Sequence, residues 1–307
     1  MPIPTALAVH GGAGRVPAAE ADPAWCAEAE RGLRGALAAG AAILDAGGAA
    51  LAAVVAAVVE LERCEVFNAG RGCVLDADGG VSLDAAVMDG CDRRAGGVIG
   101  VARVAQPVQA AEAVLRDGRH VLMAGEGAER FAASCGLAMV DPAHHVTERR
   151  RAQLARAGRR SEPGGGTVGA VALDADGHLA AATSTGGTLG KRPGRVADSA
   201  LPGCGTWADD ATCAVSATGQ GEFFIRTAFA RDVDARMRWG GRDLDAACAE
   251  ALAAVSALGG SGGCIAVDVR GRAAFPFDTP HMPCGLRLGG APPQVSLHGR
   301  HSGGDQP

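Results

Sequence analysis

Aromatic side chains are scarce in this 307-residue sequence: they make up 3% of the residues, and tyrosine is absent. Proteins that hold single-stranded nucleic acid stack its bases on aromatic rings, so a stacking platform is not expected. The sequence also lacks an excess of basic residues, because its formal net charge is −5. Without a basic face, we expect neither nucleic acid nor a membrane surface as a partner.

The ten cysteines include no CxxC pair and no Cys/His cluster at the spacing typical of metal ligands. These residues therefore predict no metal site and no cofactor. Cysteines such as Cys213 and Cys264 lie inside apolar runs. This placement predicts small buried hydrophobic residues in a reduced, cytoplasmic protein.

Long uninterrupted apolar runs are also lacking. The longest apolar region, residues 36–59, is interrupted at residues 45–48. Each part is shorter than the ~18 residues that a membrane span needs, so the region predicts buried helices. The first residues lack the charged segment that begins a signal peptide, and none is expected.

The sequence does contain a mixture of strand and helix patterns. Short apolar runs between turn residues predict strands over 6–9, 168–173, 179–185, 211–217, 264–269 and 273–277. Apolar periodicity predicts helices over 22–45, 49–62, 109–116, 127–133, 222–239 and 243–258. Helices beside strands in both halves predict an α+β fold, in which two sheets lie between helical layers. The length suits one large domain or two smaller ones.

Residues 141–166 differ in composition from their surroundings. They are charged, poor in large apolar residues, and end in the three glycines 164–166. Such a segment buries too little surface to offset its ordering entropy, which predicts a mobile linker, above all in its later part. His144 and His145 lie in this segment, and we expect them to be surface or capping residues.

Three motifs imitate other functional sites. Gly190-Lys191 lacks the earlier glycine of a P-loop, and residues 203–208 fit a dinucleotide pattern without a strand before it, so neither predicts a nucleotide site. Residues 259–263 fit the GxSxG pattern of serine esterases. A nucleophile elbow has a strand before the serine and a helix after it, whereas the order predicted here is the reverse. We therefore expect a helix-to-strand turn at Ser261.

Thr167 follows the three glycines and directly precedes a predicted strand. A threonine hydroxyl is a poor nucleophile unless a base adjoins it. Its own α-amino group, with a pKa near ~7.7, can be that base if the threonine begins a chain. This requires cleavage between Gly166 and Thr167, and the glycines allow the hydroxyl to approach the Gly166 carbonyl. The pattern favours a self-cleaving hydrolase with Thr167 as its nucleophile.

Seven segments, in the same order as in a known family, extend this interpretation. They are 9–14 (VHGGAG), 67–70 (FNAG), 83–90 (LDAAVMDG), 166–173 (GTVGAVAL), 181–187 (AATSTGG), 193–199 (PGRVADS) and 216–222 (SATGQGE). In these segments the chain resembles the plant-type L-asparaginase/isoaspartyl peptidase family of N-terminal-nucleophile hydrolases, over nearly its whole length. The resemblance implies a four-layer αββα sandwich that forms a single domain, residues 1–307. It also implies hydrolysis of L-asparagine and β-aspartyl dipeptides through an acyl-enzyme.

The resemblance implies the catalytic residues as well. Thr167 would be the nucleophile and, through its freed amine, the general base, and Thr185 would hydrogen-bond beside it. The Thr218 hydroxyl and the Gly219 N–H would form the oxyanion hole. Gly219 precedes a predicted helix, whose N-terminal N–H groups and dipole favour negative charge.

Substrate binding falls, by the same resemblance, to Arg195 and Asp198, with Gly219 and Gly221 beside them. A guanidinium holds an α-carboxylate bidentately, and a carboxylate accepts from an α-ammonium group. Taken alone, Arg195 and Asp198 are typical of a surface ion pair, and the surrounding motif reverses that interpretation. Asn68 would support the Thr167 site.

The family usually works as a pair of protomers, each cut here into 1–166 and 167–307, and many members carry a structural sodium on backbone carbonyls before Asn68.

The sequence departs from the related patterns at two positions. Gly166 stands where glycosylasparaginases and threonine aspartases have an acidic residue, and Asp278 stands where asparagine is expected. Two alternatives stay open: a glycosylasparaginase-like amidase, and an unprocessed protein that only binds aspartate-like ligands. The motifs do not rank L-asparagine against isoaspartyl peptides.

Overall fold

The computed structural model describes residues 4–14, 22–157 and 166–298. Over these ranges the helices are α1 (Pro23–Asp45), α2 (Ala50–Arg63), α3 (Pro107–Asp117), α4 (Gly125–Ser134), α5 (Glu148–Ala157), α6 (Gly221–Thr227), α7 (Phe229–Arg238) and α8 (Leu244–Ala257). The strands are β1 (Ala6–His10), β2 (Leu83–Asp89), β3 (Ala95–Val101), β4 (Leu122–Ala124), β5 (Val168–Leu173), β6 (Leu179–Thr185), β7 (Thr206–Ala208), β8 (Cys213–Gly219), β9 (Gly262–Asp268), β10 (Ala273–Ala274), β11 (Cys284–Leu288) and β12 (Gln294–Ser296). In these ranges no helix combines the length and the apolar character needed to cross a membrane.

The described strands form two sheets. Eight strands make the larger one, in the order β12-β11-β1-β5-β6-β2-β3-β4, and four make the smaller one, in the order β10-β9-β8-β7. The predicted hairpin is confirmed, since β5 and β6 pair antiparallel with Val168 opposite Ser184. The predicted α+β class is confirmed too.

The apolar core falls into three clusters, and β5 contributes to two of them, one on each of its faces. Val168, Ala170 and Ala172 belong to a cluster with α1, α2 and α3, whereas Val171 and Leu173 belong to a cluster shared with the smaller sheet. A third cluster joins the smaller sheet to α6, α7 and α8. Since side chains alternate along a strand, every residue of β5 is buried on one side or the other, which explains its continuous apolar run.

Helix α1 begins where the sequence predicts. Asp22 is its N-cap and accepts a hydrogen bond from Ala24 N at 2.9 Å, and Pro23 is the first helical residue. The prediction of one helix over 222–239 is wrong, because Ala228 adopts φ +48° and separates α6 from α7. Phe224 and Phe229 are both fully buried, with ring centroids 4.8 Å apart. Five residues apart in a continuous helix they would point about 140° from each other, so the break lets both enter the core.

The predicted linker 141–166 is ordered in its first part. A 3₁₀ helix (Pro142–His145) and α5 occupy this part, and residues 158–165 lie outside the described residues. Arg150 is buried, and its Nε donates to Gly72 O at 2.5 Å. His145 is buried as well, so its predicted surface position is wrong. The charged composition misled the prediction because a guanidinium can be buried when a backbone carbonyl accepts its hydrogen bond.

Candidate active site

Thr167 lies directly before β5, near the middle of the larger sheet, and its side chain is buried. The alternation along β5 directs Thr167 toward the smaller sheet, on the same side as Val171. The neighbouring strand β6 ends at Thr185, and the Thr167 hydroxyl donates to Thr185 Oγ1 at 3.2 Å. The structure thus places the two hydroxyls of the predicted site in contact.

The carbonyl oxygen of Gly166 accepts two hydrogen bonds. Asn68 Nδ2 donates to it at 2.7 Å, and the Thr185 hydroxyl donates at 3.2 Å. The Asn68 amide is itself fixed, because Nδ2 also donates to Gly187 O and Oδ1 accepts from Val74 N, each at 2.7 Å. Two donors held on one carbonyl polarise the peptide group between Gly166 and Thr167.

The backbone of Gly12 presses against the same peptide group. A Cβ on Gly12 would lie 2.7 Å from Gly166 Cα and 2.8 Å from Thr167 N, and Gly12 has φ +108°. Only glycine fits both the space and the conformation. The sequence motif contained Gly12, but motif reading assigned it no role, because this approach exists only in the folded chain.

Thr218 and Gly219 end β8 on the smaller sheet. The Thr218 hydroxyl oxygen accepts a hydrogen bond from Ala13 N at 2.9 Å, next to the Gly12 backbone that touches Thr167. A hydroxyl that accepts from a backbone N–H can still donate its own proton to a ligand. The predicted oxyanion-hole hydroxyl is therefore connected through the 12–13 backbone to the Thr167 site.

Arg195, Asp198 and Gly221 converge. A Cβ on Gly221 would lie 2.5 Å from Asp198 Oδ1 and 2.9 Å from Arg195 Nη2. Burial raises the pKa of Asp198 to about 7, although the Arg195 guanidinium acts in the opposite direction. Asp198 Oδ2 is buried without a hydrogen-bond partner among the described residues. A buried carboxylate oxygen without a donor suits a ligand that brings an ammonium group.

Gly187 connects this pair to the nucleophile. Its N–H donates to Thr185 Oγ1 at 2.9 Å, and a Cβ on it would lie 2.8 Å from Arg195 Nη1. Lys191 fixes Gly186, the residue before Gly187, because its buried Nζ donates to Gly186 O and to Ser82 O, both at 2.5 Å. The P-loop-like Gly190-Lys191 pair thus has a structural role that sequence reasoning missed.

Glu222 is a second residue that sequence reasoning missed. Arg195 Nε donates to Glu222 Oε1 at 3.0 Å, and Arg195 Nη2 donates to Glu222 Oε2 at 3.2 Å. This two-point contact fixes the plane of the guanidinium. The sequence signal was weak, because a glutamate in the first turn of a helix is expected for its effect on the helix dipole alone.

His10, at the end of β1, lies fully buried beside the site. Its Nε2 is 3.0 Å from Ser216 Oγ, which in turn is 2.8 Å from Thr183 Oγ1. Burial lowers the pKa of His10 to about 3, and the backbone of Thr167 only partly offsets this effect. The imidazole is therefore neutral at pH 7 and forms part of a polar bridge between the two sheets.

Ser261 has none of the surroundings of an esterase nucleophile. It follows α8 and precedes β9, the reverse of a nucleophile elbow, and its N–H donates to Gln220 Oε1 at 3.0 Å. Asp278 secures the same turn, since Oδ1 accepts from Gly262 N at 2.7 Å and Oδ2 from Ser256 Oγ at 2.5 Å. The predicted helix-to-strand turn at Ser261 is confirmed.

Comparison with known proteins identifies the family of the chain. The sequence profile of the family described as Asparaginase matches residues 3–295. An isoaspartyl peptidase from Salmonella typhimurium is 46% identical over 290 residues, covering 90% of this chain and 93% of the relative. An isoaspartyl peptidase from Escherichia coli is 45% identical, covering 90% of each chain, and a plant-type L-asparaginase from Pyrobaculum calidifontis is 42% identical, covering 91% of this chain and 95% of the relative. The chain is a hydrolase that belongs to this asparaginase family.

Proposed function

We propose that the chain cuts itself between Gly166 and Thr167 and that Thr167 then hydrolyses β-aspartyl amide bonds, both in isoaspartyl dipeptides and in L-asparagine. The observation that carries the proposal is the contact of the Thr167 hydroxyl with Thr185, beside a Gly166 carbonyl that two donors polarise. The names of the relatives, isoaspartyl peptidase and plant-type L-asparaginase, support this choice of substrates. In this proposal the site is carried by a four-layer αββα sandwich.

Self-cleavage begins with attack of Thr167 Oγ on the carbonyl carbon of Gly166. Asn68 Nδ2 and the Thr185 hydroxyl stabilise the charge that develops on the Gly166 oxygen. The C–N bond then breaks, and the hydroxyl proton moves to the nitrogen, leaving an ester between Gly166 and Thr167 Oγ. Water hydrolyses the ester to the Gly166 carboxylate, and Thr167 regains its hydroxyl and gains an α-amino group.

Substrate hydrolysis uses the freed amine as the base. The amine takes the proton of Thr167 Oγ as this oxygen attacks the side-chain carbonyl of the β-aspartyl group. The Thr218 hydroxyl and the Gly219 N–H stabilise the oxyanion, and the protonated amine then gives its proton to the leaving nitrogen. The nitrogen leaves as ammonia from L-asparagine, or as the second amino acid from a dipeptide. Water, deprotonated by the same amine, hydrolyses the acyl-enzyme and releases aspartate.

The substrate's head group is held by Arg195 and Asp198. Arg195 offers its guanidinium to the α-carboxylate, and the partnerless Asp198 Oδ2 accepts from the α-ammonium group. Gly221 leaves the space between them free of a side chain. The same head group occurs in L-asparagine and in isoaspartyl dipeptides, so this grip serves both substrates.

Assembly and sodium complete the proposal. Two protomers, each cut into 1–166 and 167–307, form the working unit. The backbone around Asn68 folds back on itself, since Arg71 N donates to Glu62 O at 2.8 Å and Phe67 N donates to Cys64 O at 3.2 Å. The resemblance to the family supports a structural sodium on backbone carbonyls before Asn68, because a hard cation prefers oxygen ligands, and this ion would stabilise the loop that carries Asn68.

Mass spectrometry of the purified full chain tests the central claim. We expect two fragments, the second beginning at Thr167, together with ammonia release from L-asparagine and cleavage of β-aspartyl dipeptides. The Thr167→Ala variant is expected to stay uncut and inactive, with its fold retained by circular dichroism. An intact chain with full activity would overturn the mechanism.

A further inference from the structure

Three hairpin turns meet at the end of the sheets that lies away from Thr167. Cys91 is in the turn after β2, His178 is in the turn between β5 and β6, and Asp210 is in the turn between β7 and β8. One ligand atom of each residue lies within 4.8 Å of the other two. β5 separates this cluster from Thr167 by the length of a six-residue strand, about 20 Å.

Backbone and side-chain hydrogen bonds fix the three turns to one another. Gly90 N donates to Leu179 O at 2.7 Å, and Asp210 N donates to Gly90 O at 3.1 Å. Leu179 N donates to Asp210 Oδ1 at 2.7 Å. The residues that carry the three side chains are therefore held together by the fold itself, so a ligand would not have to assemble them.

His178 and Asp210 already form a pair, with Nδ1 and Oδ2 2.7 Å apart. Bonds of about 2.0–2.1 Å to a tetrahedral zinc ion place an imidazole nitrogen and a carboxylate oxygen roughly 3.3 Å apart. The pair therefore has to open by about half an ångström, and the Cys91 sulfur has to approach it. His178 and Cys91 are exposed, so their side chains are free to make these shifts.

Charge around the cluster favours a cation. Three carboxylates, those of Asp210, Asp89 and Asp92, and one guanidinium, that of Arg94, are the charged groups near the Cys91 thiol. Arg94 is itself paired with Asp92 at 2.5 Å. A divalent cation at the cluster would offset this negative charge and stabilise the thiolate.

The types of ligand select the kind of cation. Magnesium and calcium prefer sets of oxygen ligands, whereas a thiolate with an imidazole suits zinc and cobalt. Three protein ligands leave the fourth tetrahedral position to water. Sequence spacing gave no sign of this cluster, because its members come from three separate turns.

We propose that Cys91, His178 and Asp210 bind one zinc-class transition-metal ion, at a site separate from the hydrolytic centre. The ion links the turns that follow β2, β5 and β7, and through them both sheets. Because it binds the folded chain, it raises thermal stability, and the gain grows with the logarithm of the free ion concentration once this concentration exceeds Kd. It takes no part in hydrolysis, which occurs at the opposite end of the strands.

Cobalt titration of the metal-depleted full chain tests the site. We expect one equivalent of Co²⁺ to give the near-ultraviolet charge-transfer band of a cobalt–thiolate bond, and Zn²⁺ to bleach it. Cys91→Ser is expected to lose the band, and His178→Ala and Asp210→Asn to weaken Co²⁺ binding more than about tenfold. Cys135→Ser, which changes another exposed cysteine, is the matched control and keeps the band.

Thermal unfolding supplies a second readout. Zn²⁺ is expected to raise the melting temperature of the wild type and of Cys135→Ser, and to leave that of Cys91→Ser unchanged. Cys91→Ser should hydrolyse β-aspartyl substrates at the wild-type rate. The cobalt band and the melting temperature do not depend on hydrolysis, so they test the metal site separately from the proposed function. No thiolate band in the wild type, or an equal band in Cys91→Ser, would overturn the site.

Discussion

The side-chain amide of Asn68 donates a hydrogen bond to the carbonyl oxygen of Gly166 at an N···O distance of 2.7 Å. This carbonyl belongs to the peptide bond that the proposed self-cleavage breaks. An oxyanion-hole donor that is already in place before the reaction needs no reorganisation as charge develops. The Asn68 amide is therefore placed to act on maturation, before any substrate binds.

Replacing Asn68 by aspartate is expected to slow self-cleavage. The variant keeps an oxygen for Val74 N but loses the donor to Gly166 O and brings negative charge to the developing oxyanion. Loss of one such donor slows a reaction by roughly 10²–10³-fold. A time course of fragment formation on denaturing gels measures the effect, and cleavage at the wild-type rate by a folded variant would contradict it.

Gly12→Ala is expected to block maturation. The new Cβ would collide with Gly166 Cα and Thr167 N, in a backbone conformation that alanine rarely adopts. Gly47→Ala is the matched control, because Gly47 also has positive φ (+73°) but a Cβ there would meet nothing within 4 Å. We expect Gly47→Ala to lose some stability but to mature normally. Equal maturation of both variants would show that the close approach at Gly12 is unimportant.

Two substitutions of Thr185 test whether its hydroxyl takes part in the reaction. Thr185→Val loses the contacts with Thr167 Oγ1, Gly166 O and Gly187 N, whereas Thr185→Ser retains a hydroxyl for them. For the valine variant we expect kcat of the matured enzyme to fall by about 10²-fold, the lower range for a lost donor or acid–base partner. The serine variant should keep most of the activity. Similar kcat values for both variants would remove Thr185 from the mechanism.

Asp198→Asn is expected to stabilise the fold while impairing substrate binding. Burial raises the pKa of Asp198 to about 7, so its proton stabilises the folded state fully below about pH 4, and this contribution is lost as pH rises through 7. The gain in melting temperature of the variant over the wild type should therefore be larger at pH 8 than at pH 5. KM for L-asparagine should rise more at pH 8, where the wild-type carboxylate pairs with the α-ammonium charge, than at pH 5, where Asp198 of the free enzyme is already protonated. An equal gain in melting temperature at the two pH values would contradict the assigned cause.

Glu222→Gln tests whether the two-point contact orients Arg195. A glutamine can accept only one of the two guanidinium hydrogen bonds, so we expect KM to rise several-fold while kcat changes little. The control is Glu250→Gln, which makes the same change in the carboxylate that contacts Arg236 on α7 and Arg242 after α7. The control should leave both parameters unchanged. A fall in kcat at unchanged KM would assign Glu222 a different role.

Local signals explain which parts of the fold could be predicted. Helix α1 followed from the Asp22 cap and Pro23, and the β5–β6 hairpin followed from the turn residues between two apolar runs. The break at Ala228 could not be predicted, because nothing local forbids a helix there. The decisive contribution is the burial of Phe224 and Phe229 against other parts of the chain. The burial of Arg150 was missed because its hydrogen-bond partner, Gly72 O, belongs to a distant part of the chain.

The candidate site shows the same division. Thr167 was predicted from the glycines before it and from chemistry that needs a free amine, and the other site residues were predicted from the resemblance. The contact of Gly12 with the Gly166–Thr167 peptide and the pairing of Glu222 with Arg195 were not visible. Both depend on segments that are separate in sequence and meet only in the folded chain, since Gly12 follows β1, which pairs with β5, and Glu222 lies on α6.

The order of strands in the larger sheet has a consequence for the protein after the proposed self-cleavage. Strand β1 belongs to the fragment before the cut, yet it lies between β11 and β5, which both belong to the fragment after it. The two products are interleaved, so they cannot separate without tearing hydrogen bonds from the middle of the sheet. Folding is unimolecular for the precursor but would be a bimolecular reaction for the matured enzyme. A cleaved molecule that unfolds would therefore lose the tether that first brought its halves together, and its lifetime would be governed by its unfolding rate.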